Sequence, residues 1–165
     1  INGTIKAVFI APPSSTFAES VEPSIRSRVC PAGCQNLSTT DQYWVTSGNL
    51  LVKFAASLLQ TGSRRGIPII WIAPGTSWMW ELAFVTNVFR GCRAAVHLTD
   101  ACQENFAWRK RTKVATTNIA KRLIQSQLKM CEATRGICSA TGCMHAQFSP
   151  AYVSKRASSY PQRIT

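Results

Sequence analysis

The residues with the most chemistry in this chain are Cys131, Cys138, Cys143 and His145, which fall within fifteen positions of one another. Thiolates and an imidazole are the donors that tetrahedral zinc prefers. Their spacing is not that of a standard finger, and Cys102 is an alternative to Cys143 as the fourth ligand. The set Cys102, Cys131, Cys138 and His145 would staple an upstream strand to the C-terminal segment. Buried free thiols beside a satisfied histidine are the competing reading. A second concentration is Trp108-Arg109-Lys110-Arg111-Thr112-Lys113, four cations and an indole in six residues. Cations that neutralise phosphates release counterions, and an indole stacks on a base. Arg109, Lys110, Arg111, Lys113 and Trp108 are therefore candidate contacts to nucleic acid or to an acidic partner, against the alternative of a solvated charge run. Trp71, Trp78 and Trp80 offer either a stacking surface or, as tryptophans more often do, core and lid. Nothing resembles a Gly-rich phosphate loop, and neither His97 nor His145 sits in a nucleophile motif.

These groups need a scaffold, and the apolar pattern supplies one. Ile5 to Ile10 is a short β-branched and aromatic run that stops at Pro12 and Pro13, so it reads as a buried strand delivering the hydroxyls of Ser14, Ser15 and Thr16 to a loop. Ala18 to Thr40 has no sustained period and reads as a long loop with a basic edge at Arg26 and Arg28. Ser38 to Asp41 offers N-cap residues for a helix in which Tyr43, Val45, Leu50, Leu51, Phe54, Leu58 and Leu59 recur at three- and four-residue steps. Gly62 and Gly66 end it, with Arg64 and Arg65 where cations complement the helix dipole. Ile67 to Ile72 is a second buried strand, again followed by a proline. A strand, helix and strand at this spacing form a crossover unit, which predicts two parallel, proline-ended strands side by side. Trp78 to Arg90 predicts a helix, Ala94 to Leu98 a third strand with Thr99-Asp100-Ala101-Cys102 as its exit loop, Val114 to Thr117 a further strand, and Ile119 to Met130 a basic amphipathic helix.

Composition bounds the function. The 165 residues are 45% hydrophobic, which suits one globular domain and argues against wholesale disorder, although the final dozen residues have the composition of a tail. No apolar run approaches the roughly 20 residues that span a bilayer. Nineteen Lys and Arg against seven Asp and Glu give a formal charge of +12, which calls for a polyanion or an acidic partner. Seven cysteines cannot all pair within the chain, and their clustering suits a reduced protein with a metal site better than a disulfide scaffold. With neither an initiator Met nor a signal-peptide layout at its start, the chain is expected to be a processed product, a fragment or the ordered part of something larger. Its compartment is left open among intracellular, nuclear and organellar sites.

In order and spacing, several segments resemble the cytosine carbon-5 DNA methyltransferase-like proteins encoded by certain tyrosine-recombinase retrotransposons and found in many copies in some protist genomes. Ala11-Pro12-Pro13-Ser14-Ser15-Thr16-Phe17-Ala18 is similar to that family's nucleophile segment, Gly-Pro-Pro-Cys-Ser-Thr-Phe-Ser, and Ile72-Ala73-Pro74-Gly75-Thr76-Ser77-Trp78-Met79-Trp80 to its Glu-Asn-Pro segment. Arg26-Ser27, Gly48-Asn49, Asp100-Ala101-Cys102, Trp108 to Thr112, Cys138 to His145 and Tyr160-Pro161 look like further counterparts. The resemblance implies a partial Rossmann-like α/β methyltransferase fold over residues 1–130, starting at the family's fourth strand, with 131–165 as a Cys/His-containing C-terminal segment and basic tail. It also implies lost chemistry. Ser14 replaces the thiol that adds to cytosine, Ile72 and Ala73 replace the acid and amide, and the S-adenosylmethionine loop has no counterpart, so that cofactor is not expected. The expectation is a catalytically inactive, basic binding or structural subunit of a larger complex, such as an organellar or membrane assembly. A nucleic-acid-binding module is the alternative, and an active methyltransferase completed by another chain ranks last.

Overall fold

The structure, a computed structural model, describes residues 4–146. Tyr160-Pro161 and the basic tail lie outside the described residues. Four strands form one sheet: β1 (Val8–Ile10), β2 (Ile69–Pro74), β3 (Ala95–Asp100) and β4 (Arg111–Thr117). The spatial order is β1-β2-β4-β3. β1 and β2 are parallel, with Val8 opposite Ile69, as the strand–helix–strand spacing predicts. The remainder of the expected parallel sheet is corrected. β4 runs antiparallel to both β2 and β3, so the sheet is mixed, and the third strand is separated from the second. The connection from β3 to β4 is short and contains only a 3-10 turn over Ala101–Glu104, and so brief a return favours an antiparallel pairing. β3 is also longer than the apolar run suggests, and Asp100 closes the strand instead of lying in an exit loop.

Helix α1 (Thr39–Arg64) connects β1 to β2. It starts where the sequence places its cap: the Ser38 Oγ accepts the Asp41 N–H at 3.1 Å, and its hydroxyl donates to the Asp41 carboxylate. The face that α1 buries is not the one its bulkiest residues mark. Val45, Gly48, Val52, Ala55, Ala56, Leu59 and Gly62 face inward. Tyr43, Trp44, Leu50, Leu51, Phe54 and Leu58 face outward, with Phe54 63% exposed. Close approach decides this. A Cβ on Gly62 would meet Ile69 Cδ1 at 2.6 Å, and one on Gly48 would meet the Thr16 hydroxyl at 2.7 Å and Phe17 at 3.3 Å. Only the stripe of small residues lets the helix lie this near the sheet and the loop after β1.

The segment after β2 is not one helix but two pieces. A 3-10 turn over Trp78–Glu81 is capped by Ser77, and α2 (Ala83–Gly91) begins only after Leu82, whose extended backbone (ψ 122°) interrupts the ladder. Together with α1 they cover one face of the sheet around Trp71, Ile69, Phe17, Leu59, Met79, Leu82 and Val85. Trp71 meets Phe89 edge-on at 5.3 Å, and Trp80 packs on Phe89 while its indole N–H donates to the Pro74 carbonyl at 2.7 Å. Trp71 and Trp80 are thus core, and Trp78 is half-buried beside it. The second face is thinly covered. Ile72 and Val114 are buried there under Ile70 and Leu128. Helix α3 (Lys121–Gln127) is shorter than its 119–130 pattern and buries none of its residues, because Leu128, past its end, makes the packing contact.

Gly48→Ala tests the close approach of α1. Overpacking against Thr16 and Phe17 is expected to lower stability by about 1–3 kcal/mol, read as a lower urea midpoint with an unchanged slope. A midpoint equal to that of the wild type would contradict the packing described.

Candidate metal centre

Asp100 ends β3 with its side chain fully buried. In the β3–β4 ladder it lies directly opposite Arg111, whose guanidinium reaches it at 3.0 and 3.2 Å. Arg109 adds a contact at 3.3 Å. The same carboxylate accepts the Cys131 backbone N–H at 2.9 Å, while Arg109 Nη2 donates to the Cys131 carbonyl at 2.9 Å. Both polar backbone groups of Cys131 are therefore held by one ion pair. Two residues earlier, the Lys129 carbonyl accepts from the Asp100 N–H at 3.0 Å and from the Thr99 hydroxyl at 3.1 Å. Burial alone would raise the Asp100 pKa. The Arg111 and Cys131 hydrogen bonds and the two guanidinium charges outweigh it and hold the carboxyl below its usual range.

That anchoring delivers Cys131 to Cys102, which follows β3 in the 3-10 turn. Two further ligands come from a compact turn unit. Thr134 and Ile137 pair around Arg135 and Gly136, both with left-handed backbone (φ 52° and 81°), the geometry of a tight hairpin turn. The His145 N–H donates to the Gly136 carbonyl at 2.9 Å, folding this stretch back over Cys138. The sulfurs of Cys102, Cys131 and Cys138 and a ring nitrogen of His145 all lie within 4.8 Å of one another, the three cysteines buried and the histidine half-buried. Cys131 Sγ is 3.9 Å from Cys138 Sγ and 3.7 Å from His145 Nε2. With metal–sulfur bonds of about 2.3 Å and metal–nitrogen bonds of about 2.0 Å, a tetrahedron has edges of roughly 3.5–3.8 Å, close to these two separations, so the residues present fit a tetrahedral ion. Cys143, the other choice for fourth ligand, is exposed, and its thiol points to the Thr141 carbonyl.

Donors around the sulfurs favour thiolates. Ser139 directs its N–H and hydroxyl at Cys131 Sγ, at 3.5 and 3.6 Å. Burial raises the Cys138 pKa, but the backbone N–H groups of Ala140 and Thr141 prevail and bring it down to about 7. Cys102 moves the other way, to about 12, through burial and the hydrogen bonds it shares with Cys131 and Cys138. Three thiols packed together resist full ionisation unless a cation joins them, so the arrangement is chemically suited to hold a metal ion.

The other candidate residues are dispersed. Arg109 and Arg111 are engaged by Asp100, Lys113 lies 5.5 Å from the centre of the Trp80 ring, and Trp108 stacks edge-on with Phe106 at 5.2 Å. Lys110 is half-buried, and burial lowers its pKa. Ser14 is half-buried, and its side chain makes no capping hydrogen bond at the turn it precedes. Ile72 and Ala73 are fully buried on opposite faces of the sheet, Ala73 in the main core and Ile72 in the smaller cluster. The residues missing from the sequence-level reading are Asp100 and Ser139. A single acid two residues before a candidate ligand, in a chain with few acids and a nearby run of cations, is the signal that points to Asp100. No family model matches the chain, and neither a curated protein nor a solved structure matches it.

Two outcomes are expected. Elemental analysis of the purified chain should give about one thiophilic divalent ion per molecule, lost in Cys138→Ser and kept in Cys143→Ser; equal loss in both variants would contradict the ligand set. Asp100→Asn should lower stability at pH 7 by about 3 kcal/mol. Because the Asp100 pKa is depressed on folding, its contribution is present above about pH 4 and fades as pH falls below it. The difference from wild type should therefore shrink on acidification, and a difference independent of pH would refute the ion pair's role.

Proposed function

We propose that this chain is a non-catalytic, methyltransferase-like subunit that docks an acidic protein partner, with its C-terminal segment fixed by a structural zinc ion. The observation that carries the reading is the outward face of α1. Tyr43, Trp44, Leu50, Leu51, Phe54 and Leu58 form an apolar surface on a single helix. It continues into a groove lined by Val8 and Ile10 of β1, by Pro12 beyond it, and by Leu51, Phe54 and Leu58 of α1. Among the described residues β1 pairs only with β2, so its far edge remains open beside that groove. Contiguous apolar surface next to an open strand edge is the mark of a protein interface, not of a nucleic-acid groove. The charge of +12 adds the partner's sign.

Three considerations support the rest. A centre with four protein ligands has no open position for substrate, as in structural zinc sites, and zinc suits three thiolates and an imidazole. It would be held by Cys102, Cys131, Cys138 and His145 and would supply cross-linking energy instead of reactivity. The methyltransferase likeness rests on the order and spacing of the segments it shares, and the parallel β1–β2 pair joined through α1 is consistent with it. Loss of catalysis is favoured by Ser14, Ile72 and Ala73 at the positions where that likeness asks for a thiol, an acid and an amide. No helix among the described residues is long and apolar enough to cross a membrane.

The test is the double variant Leu51→Asp, Phe54→Asp in the native host. The wild-type chain should migrate on native gels within a larger assembly, and the variant should run free while keeping its metal. Unchanged migration of the variant would reject docking at α1. Retention on a DNA column that collapses between about 50 and 200 mM salt, with the α1 variant unaffected, would favour nucleic acid instead.

A further inference from the structure

The long loop between β1 and α1 contains a second pair of thiols, remote in sequence from the metal centre. Cys30 and Cys34 bring their sulfurs to 2.8 Å, and Ser27 Oγ stands 2.9 Å from Cys30 Sγ. The chain is folded to hold them there. The Gly33 N–H donates to the Cys30 carbonyl at 3.1 Å, the Cys34 N–H donates to the Ile25 carbonyl at 3.0 Å, and Gly33 takes a left-handed backbone (φ 130°) that a side chain would resist, its Cβ meeting Val45 at 2.6 Å. Both cysteines are half-buried, within reach of a small solute. Elsewhere among the described residues, sulfur faces sulfur only inside the metal cluster.

The carbonyls inside this five-residue segment have specific tasks. Pro31 O accepts from Arg26 Nη1 at 2.6 Å, and Ala32 O accepts from Asn49 Nδ2 at 2.7 Å. Arg26 is 3% exposed. Instead of a carboxylate it has the Val45 carbonyl at 2.9 Å, Asn49 Oδ1 at 2.8 Å and the face of Phe17 at 3.8 Å. A buried guanidinium that depends on loop carbonyls makes the order of that loop matter to α1 and to the turn after β1 alike.

We propose that Cys30 and Cys34 are a redox-active dithiol that closes to a disulfide by exchange with a small-molecule disulfide, and that closure pins the loop around Arg26. The Cys30 thiolate attacks one sulfur of the disulfide, forming a mixed disulfide and releasing one thiolate, which takes up the proton Cys30 gave to solvent. The Cys34 sulfur, losing its own proton, then attacks the Cys30 sulfur and expels the second thiolate. Two protein thiols are oxidised and one disulfide is reduced to two thiols. The order of attack follows the surroundings: hydrogen bonds from Cys34 and then Ser27 lower the Cys30 pKa, while the bond to Cys30 raises that of Cys34.

The full metal-loaded chain is treated with oxidised glutathione, quenched with an alkylating agent and digested with trypsin. The fragment Val29–Lys53 holds Cys30 and Cys34 and no other cysteine. It should be recovered unalkylated and lighter by two hydrogens, returning to the dialkylated form after a dithiol reductant. In Cys34→Ser, glutathione should remain on Cys30, accumulating about tenfold faster than on Cys34 in Cys30→Ser. Cleavage of the folded protein after Arg28 should slow about fivefold on oxidation. Two alkyl groups on wild-type Val29–Lys53 at an oxidant level that already modifies Cys92 would overturn the proposal, as would stable glutathione on both cysteines. Equal accumulation in the two variants would overturn the assignment of Cys30 as attacker, and unchanged cleavage would overturn the pinning.

Discussion

The carboxylate of Asp100 is the point on which the second half of this molecule depends. A buried acid is costly unless it is paired and fully hydrogen-bonded, and here two arginines and a backbone N–H meet that requirement. Because the N–H belongs to Cys131 and the Cys131 carbonyl is held by Arg109, the solution to one electrostatic problem also positions a candidate metal ligand. The cost of burying the charge and the placing of the thiol cannot be separated. Among the described residues, the Cys/His segment buries only Cys131, Cys138 and the partly buried Ala133 against Cys102, so its attachment to the sheet relies on this polar network and on whatever joins the sulfurs.

A second constraint shapes the other side of the sheet. α1 lies close to the sheet and to the loop after β1 because small residues line its inner face, and this sends its aromatic and leucine side chains outward. A helix that needed only to cover a sheet would have no use for an outer face of this kind. In the proposed account the two constraints divide the work: the metal-tied half supplies a rigid basic body, and the α1–β1 half supplies the contact. The residues that the methyltransferase likeness assigns to chemistry lie between them, and Ile72 and Ala73 contribute to packing on both faces.

How much of this was legible in the sequence follows from the range of each interaction. The Ser38 cap, the extent of α1 and the parallel β1–β2 pair are set by local pattern, and they read correctly. The position of β4 is not local: its run of Val114 to Thr117 announces a strand but carries no information about its neighbour, so a mixed sheet passed for a parallel one. The face of α1 misled because hydrophobicity marks what can be buried, whereas Gly48, Ala55, Ala56 and Gly62 mark what fits. Donor chemistry made Cys102, Cys131, Cys138 and His145 readable as one set, but choosing between Cys102 and Cys143 required the three-dimensional return of the chain. Arg109 and Arg111 read as free cations because their acid lies on the neighbouring strand, a pairing visible only once the register is known.

The central claim, a tetrahedral ion held by three sulfurs and one nitrogen against the Asp100 network, is tested most directly by X-ray absorption at the metal edge of the purified chain. The account predicts three sulfur scatterers at about 2.3 Å and one nitrogen at about 2.0 Å. A shell of oxygen and nitrogen alone, or a protein that binds no ion after reduction and incubation with zinc, would contradict it.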